Sequence, residues 1–351
     1  MNLQVFWFVL IVVLWSGYFL LEGFDFGVGM LLPFVPRNEP ERGAMFESIG
    51  PVWDGNEVWL VVAGAATFAA FPAWYATMFS GFYLALLLLL FFLIIRVVSF
   101  EWREKSESPG WRRVWLAANA LGSTGIALVW GIGLANLIHG VPIDSNGDYS
   151  GNLVDLFTPY TILAGIAFVL VFAFHGATYL GLRTEGRLLN HVGAAAKRLA
   201  LPAAIVGATF LIWTVVVAVD RNDKDVFPVV VPAVLGIAAL ALAALVAFAG
   251  RSALAFTMTA IGTVAMVATL FTGLYPRVMV SSTNFSNSLD VPGTASQHYT
   301  LAVMTVVALL ALPIILIYQS WSYYVFRARV SGEEIHPSEA IPRSSGDSTA
   351  G

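Results

Sequence analysis

Nine runs of apolar residues, most of them about twenty residues or longer and almost free of charge, decide what this chain can become. They lie at 3–34, 52–71, 75–98, 113–138, 156–182, 199–219, 228–249, 253–275 and 298–326. A helix needs roughly 20 apolar residues to cross about 30 Å of hydrocarbon. Within hydrocarbon each backbone N–H and C=O must be paired inside the protein, which restricts spanning structures to helices and closed barrels. The runs therefore predict an all-α polytopic membrane protein: one nine-helix transmembrane domain over 1–329. A tail over 330–351, rich in Ser, Glu, Pro and Gly, is expected to be disordered. Composition agrees, with 58% hydrophobic and 11% charged residues, against about 45–50% and about 25% in soluble domains. Pro72-Ala73-Trp74 separates the second and third runs so narrowly that they are expected to form a tight helical hairpin.

The charges give the runs a direction. Of the 18 Lys and Arg residues, 15 fall in loops after odd-numbered runs or in the C-terminal tail, Arg96 being counted among them; Arg221, Lys224 and Arg277 follow even-numbered runs. Cytoplasmic loops carry the excess of Lys and Arg, so the N-terminus is expected outside and the C-terminus in the cytoplasm, as an odd number of spans requires. No Lys or Arg precedes Leu3, so the start lacks the basic region of a cleavable signal peptide and reads as the first span. The larger outer loops, 137–155 and 277–297, show no period and are not expected to form a domain. Cys is absent, which excludes disulfides, zinc–thiolate and iron–sulfur centres. No phosphate-binding loop, nucleophile triad or metalloprotease motif occurs, and nucleic acid is not an expected partner.

Against this apolar frame four carboxylates stand out. Leu21-Glu22-Gly23-Phe24-Asp25-Phe26-Gly27 lies in the first run and, after a short turn, Trp53-Asp54-Gly55-Asn56-Glu57 opens the second. A carboxylate at the centre of a span costs about 2.5–3.5 kcal/mol on insertion scales, so such groups mark function unless they are paired. At 1.5 Å per residue Asp25 lies about 31 Å from the start of its helix. Both pairs therefore fall toward the cytoplasmic end, each with i, i+3 spacing on one face. Carboxyls clustered in low dielectric exchange protons near neutral pH, which is the make-up of a proton-uptake route. Structural readings stand beside this one. Glu57 would pair with Arg37, Arg42 or Arg96, and Asp54 would cap the second helix. Gly23 and Gly27 form a Gly-x-x-x-Gly pattern that permits close helix contact, so Asp25 is expected to face another helix. Of the five histidines only His175 lies inside a span. It is a candidate haem ligand or proton relay, or a residue that hydrogen-bonds a neighbouring helix.

Two stretches carry a resemblance when taken together: Glu22-Gly-Phe-Asp-Phe-Gly27 and Gly50-Pro-Val-Trp-Asp-Gly-Asn-Glu-Val-Trp59. Phe71-Pro-Ala-Trp-Tyr75, Phe100-Glu-Trp-Arg103, Gly176-Ala-Thr-Tyr-Leu-Gly-Leu-Arg-Thr-Glu-Gly186 and Ser281-Ser-Thr-Asn-Phe-Ser-Asn-Ser288 follow in order. Over residues 1 to about 329 the chain resembles subunit II of the cytochrome bd-type quinol oxidases. The resemblance implies a pseudo-symmetric heterodimer with a subunit I that carries two b-type haems, one d-type haem and the quinol site. It also implies a bacterial cytoplasmic (inner) membrane location. The complex would oxidise quinol and reduce dioxygen to water, drawing protons from the cytoplasm and so building membrane potential in aerobic respiration. Further implied partners are small accessory subunits and membrane lipids, with a structural quinone or lipid in this subunit. The family's proton path begins at the position of Asp54 and passes an acid matching Glu101. With Glu57, Asp25 and Glu22, these make the candidate path. Glu57 departs from the Gln often found there. The competing reading is a proton-coupled secondary transporter, which intramembrane acids fit equally well but which usually shows internal repeats.

Overall fold

The computed structural model describes residues 2–332. It is almost wholly helical: α1 (Leu3–Leu31), α2 (Glu39–Ile49), α3 (Trp53–Ala70), α4 (Pro72–Gly81), α5 (Tyr83–Trp102), α6 (Pro109–His139), α7 (Pro159–Arg183), α8 (Gly186–Asn222), α9 (Val226–Phe248), α10 (Ser252–Leu274), α11 (Val291–Thr294) and α12 (His298–Val325). Eight of these, α1, α5 to α10 and α12, are long and apolar enough to cross a membrane. The second expected span is α3. It is 18 residues long, but Asp54, Asn56 and Glu57 in its first turns hold its apolarity below that of the other eight.

Helix α1 is the axle. It packs against α3, α6, α7 and α10, and its residues from Glu22 to Leu31 are all buried. An aromatic cluster fills the space around its middle, where Trp15 and Trp130 meet at 4.9 Å, Phe19 and Phe168 at 5.5 Å, and Phe168 and Phe172 at 5.4 Å. Lower on the helix the glycine pattern does what small residues do in membranes, letting backbones touch. A Cβ on Gly27 would stand 1.9 Å from the Phe172 carbonyl oxygen, and one on Gly176 would stand 2.5 Å from the Gly27 carbonyl carbon.

Several expectations need correction. The short turn after α1 contains α2, capped by the Asn38 side chain, which accepts from the Glu41 N–H, and anchored by buried Ala44, Met45 and Ile49. The third run is not one helix: α4 and α5 meet at Phe82, whose backbone leaves the helical region. The loop over residues 137–155 packs against this point. A Cβ on Gly81 would stand 2.7 Å from Tyr149, and the Thr77 hydroxyl donates to the Gly147 carbonyl at 2.7 Å. Helix α8 begins 13 residues before its apolar run, because Leu188, Val192, Ala196 and Ala200 continue a buried stripe at four-residue spacing. Arg96 is not a loop residue: it lies inside α5 and is fully buried.

The two loops expected outside, 137–155 and 277–297, also have structure. β1 (Arg277–Met279) and β2 (Leu289–Asp290) pair antiparallel. The Val141 N–H donates to Val280 O and the Ser282 N–H to Val141 O. The Ser281 and Thr283 hydroxyls both donate to Ile143 O, at 3.0 and 2.7 Å. With Val141, Ile143 and Val278 buried to within 1%, the loops form one small cap over the bundle.

Helix α12 is the least embedded element, with Leu301 its only buried residue. At one end the Trp7 indole donates to Leu301 O and lies 3.0 Å from Thr305 Oγ1; at the other, Gln319 and Tyr323 donate to Asn56. Beyond it the chain returns to the bundle: the Val330 N–H donates to Arg183 O at 2.7 Å and the Glu185 N–H to Val330 O at 3.2 Å. The rest of the tail expected to be disordered, from residue 333 on, lies outside the described residues.

Candidate functional site

Helices α1, α3, α5 and α12 bring a polar set into the bundle near the start of α3. Glu22, Asp25, Asn56 and Arg96 are all 0% exposed. Their contacts follow from spacing. Glu22 and Asp25 are one turn apart on α1, Asn56 sits in the first turn of α3, and Arg96 points inward from the last third of α5. Arg96 Nη1 is 3.3 Å from Glu22 Oε2. The guanidinium lies 4.8 Å from the centre of the Phe26 ring and 5.5 Å from that of Phe100, so its charge is compensated by one carboxylate and two aromatic rings.

Asp25 is held differently. The Asn56 amide donates to Asp25 Oδ2 at 2.6 Å, while Asn56 Oδ1 accepts from Gln319 Nε2 at 2.9 Å and from the Tyr323 hydroxyl at 2.7 Å. These three bonds fix the amide's orientation and tie α1, α3 and α12 at one side chain. Asp25 thus faces another helix, as expected, but not the one its flanking glycines pack on: Gly23 and Gly27 meet α7, while its carboxylate faces α3.

The set is not closed on itself. Both oxygens of Glu22, Asp25 Oδ1 and all three Arg96 nitrogens lack a hydrogen bond within the described chain. Buried polar groups are nearly always bonded to protein or ordered water, so these atoms are the natural partners of bridging waters. Arg96 is the one cation in this set, and its ion pair is with Glu22.

The remaining acids lie outward of this set. Asp54 is exposed and Glu57 half-buried, on either side of Asn56. Asp54 is not the cap of α3: Val52 takes that position, with no side-chain bond to the helix. Glu57 forms no ion pair among the described residues. Arg96 is engaged by Glu22, and Arg42 by Glu39. Glu101 is exposed at the end of α5, and the stacked rings of Trp53 and Phe100, 5.3 Å apart and within 12° of parallel, hold that end of α5 against the start of α3. Asp54 and Glu57 lie on the helix that contacts Asp25, while Glu101 lies on α5, five residues beyond Arg96.

His175 is remote from this set in its bonding. Its Nε2 lies 3.1 Å from Leu20 O and its Nδ1 2.7 Å from Thr259 Oγ1, and its ring stacks on Phe256 at 4.7 Å. Both nitrogens are occupied within the chain, tying α1, α7 and α10 together, and this position does not fit an iron ligand.

Sequence reasoning missed the organising cation. Arg96 follows an apolar run, Leu84 to Ile95, and precedes Val97 and Val98. A single Arg with apolar residues on both sides is the mark of an intramembrane counter-ion, and that signal was available. Asn56, Gln319 and Tyr323 had no such signal: their roles depend on α1, α3 and α12 meeting.

The chain was compared with known proteins. A family model described as cytochrome bd terminal oxidase subunit II matches residues 3–326. Cytochrome bd ubiquinol oxidase subunit 2 of Bacillus subtilis (strain 168) is 39% identical over 338 residues, covering 95% of this chain and 98% of that one. Cytochrome bd-I ubiquinol oxidase subunit 2 of Escherichia coli (strain K12) is 36% identical over 366 residues, covering 95% and 96%. A chain in the structure of bd oxidase from Geobacillus thermodenitrificans superposes with a TM-score of 0.74 at 17% identity, over 93% of this chain and 99% of that chain, which is a likeness of fold. The match over nearly the whole length establishes that the chain belongs to the cytochrome bd terminal oxidase subunit II family.

Proposed function

We propose that this chain supplies the proton-uptake path of a bd-type oxidase and no haem ligand. Membership of the family makes it a subunit of a quinol:oxygen oxidoreductase in respiration and a multi-pass protein of the bacterial inner membrane. The finer reading is carried by one observation: a fully buried Glu22–Arg96–Asp25–Asn56 set has carboxyl oxygens unbonded among the described residues, and the helix of Asn56 carries exposed Asp54 and half-buried Glu57. Protons taken up at Asp54 would pass Glu57 and Glu101 to the boundary with the partner, with Asp25 and Glu22 as the buried acids alongside. In this arrangement α3 is the ninth crossing, the N-terminus is outside, and the acids meet the cytoplasm. The charge asymmetry supports that direction even with Arg96 removed from the loops, at 14 against 3. Protons drawn from that side for water formation add to the membrane potential.

The haems of the complex, two b-type and one d-type on subunit I, supply electron transfer and oxygen reduction when bound. On this chain the engagement of both His175 nitrogens supports the assignment of the ligands to the partner. Subunit I would pack on the face made by α3, α5 and α12, whose outward side chains are apolar and exposed, Val61 at 68% and Leu310 at 67% among them. That face also presents Asp54.

The test is oxygen uptake by the complex co-expressed with its subunit I. Asp54→Asn is expected to slow turnover by roughly tenfold, less than the 10²–10⁴ of a fully positioned proton donor because water reaches an exposed site. The reduced-minus-oxidised haem spectrum should stay unchanged; full turnover by this variant would remove Asp54 from the path. His175→Phe is expected to leave all haem bands intact. Loss of a haem band with the complex still assembled would return an iron ligand to this chain.

A further inference from the structure

The Tyr179 hydroxyl donates to Ser48 O at 2.8 Å, which sets the end of α7 level with the end of α2, at the same end of the bundle as Asp54. There a cleft of about 830 Å³ opens between α7, the early turns of α8 and the turn from α9 to α10. It shares no residue with the acidic path. Its charge is one-sided: Lys197, Arg251 and Arg329 line it and no carboxylate does. None of the three has an ion-pair partner among the described residues. Between the cations the walls are mostly apolar, with Gly181 on α7 and Gly193 on α8, and with Thr178, Asn190 and Ser252 adding neutral polar groups.

The height of the cleft follows from the helices. α8 has 37 residues, or about 55 Å at 1.5 Å per residue, well beyond the hydrocarbon thickness. Its first turns, with Lys197, therefore stand at or beyond the level where lipid phosphates lie. The size excludes a bare ion as the fitted occupant, since one water takes about 30 Å³ of liquid volume. Basic pockets between transmembrane helices are suited to anionic headgroups. We infer that this cleft binds the phosphate of an anionic membrane phospholipid. Lys197, Arg251 and Arg329 surround the headgroup, and the start of the acyl chains lies along Gly181 and Gly193. The inference extends the membrane reading of the chain and does not depend on the proton path.

The test is native mass spectrometry of the purified complex with subunit I, delipidated and titrated with phosphatidylglycerol or phosphatidylcholine, with thermal unfolding measured in parallel. Two variants separate charge from shape. The triple variant Lys197→Gln, Arg251→Gln, Arg329→Gln removes the cations. Gly193→Phe fills the cleft from a helix position where a Cβ meets nothing within 4 Å. The expected result is one tightly held phosphatidylglycerol fewer in each variant, with its affinity lowered by about tenfold or more. Stabilisation by phosphatidylglycerol should be lost in both, with haem spectrum and turnover retained. The inference is overturned if both variants keep the full phosphatidylglycerol complement, or if phosphatidylcholine is held equally well. It is also overturned if inorganic phosphate alone reproduces the stabilisation, or if a chain ending at residue 332 gains the bound lipid that the full chain lacks, which would make the chain's own tail the occupant.

Discussion

Arg96→Leu is expected to destabilise the complex by about 3–5 kcal/mol, the usual cost of breaking a buried ion pair from one side. The variant leaves Glu22, 0% exposed, without the guanidinium 3.3 Å away, and it leaves two buried carboxyls with no cation among them. The double variant Glu22→Leu, Arg96→Leu is expected to recover most of that loss, because an apolar pair of similar volume removes both charges together. Thermal unfolding of the complex, read from its haem absorbance, measures both. A single variant within about 1 kcal/mol of the parent would mean that the pair is solvated from the partner side and not buried in the assembly.

Gly27→Leu is expected to abolish assembly. Even Gly27→Ala puts a Cβ 1.9 Å from the Phe172 carbonyl oxygen and 2.8 Å from the Gly176 nitrogen. No side-chain rotation relieves a clash with backbone, so α1 and α7 must move apart. Overpacking of a tight core usually costs about 1–3 kcal/mol and sometimes more, and here the movement also disturbs Asp25 two residues away. Gly64→Ala is the matched comparison, since its Cβ would meet nothing within 4 Å. It is expected to be neutral, or stabilising by up to about 1 kcal/mol through helix propensity. The yield of haem-containing complex per membrane protein distinguishes the two.

What the sequence made visible divides along a physical line. Apolar runs and their charged borders are local, so all nine runs correspond to helical segments, and the close contact made by Gly23 and Gly27 was legible from their spacing. Features that depend on two distant segments meeting were not. Phe82 interrupts the third run only because Tyr149 packs on Gly81 from a loop nearly seventy residues on. The cap formed by β1, β2 and the Val141–Ile143 segment depends on a pairing across more than a hundred residues and has no period in either loop. Arg96 falls between these cases. Its apolar neighbours on both sides were legible, but its position near the end of a run made it look like the border charge of the next loop. Asn56 carried no signal of its own, and only the arrival of α12 gives its carbonyl oxygen two donors.

The sparse attachment of α12 bears on how this chain tolerates change in length. Its two fastenings, Leu301 with Thr305 and Gln319 with Tyr323, are each separated by 18 residues, about five turns of helix and about 27 Å. They therefore lie on one line along the helix, like two buttons on a seam. The apolar residues between them are mostly exposed within the described chain and contribute little to holding α12 on it. A single inserted or deleted residue is another matter. It would rotate one fastening by about 100° relative to the other, so that α12 could engage Trp7 or Asn56 but not both. For the fastening of α12 to its own chain, the residue count between its two ends is a strict constraint.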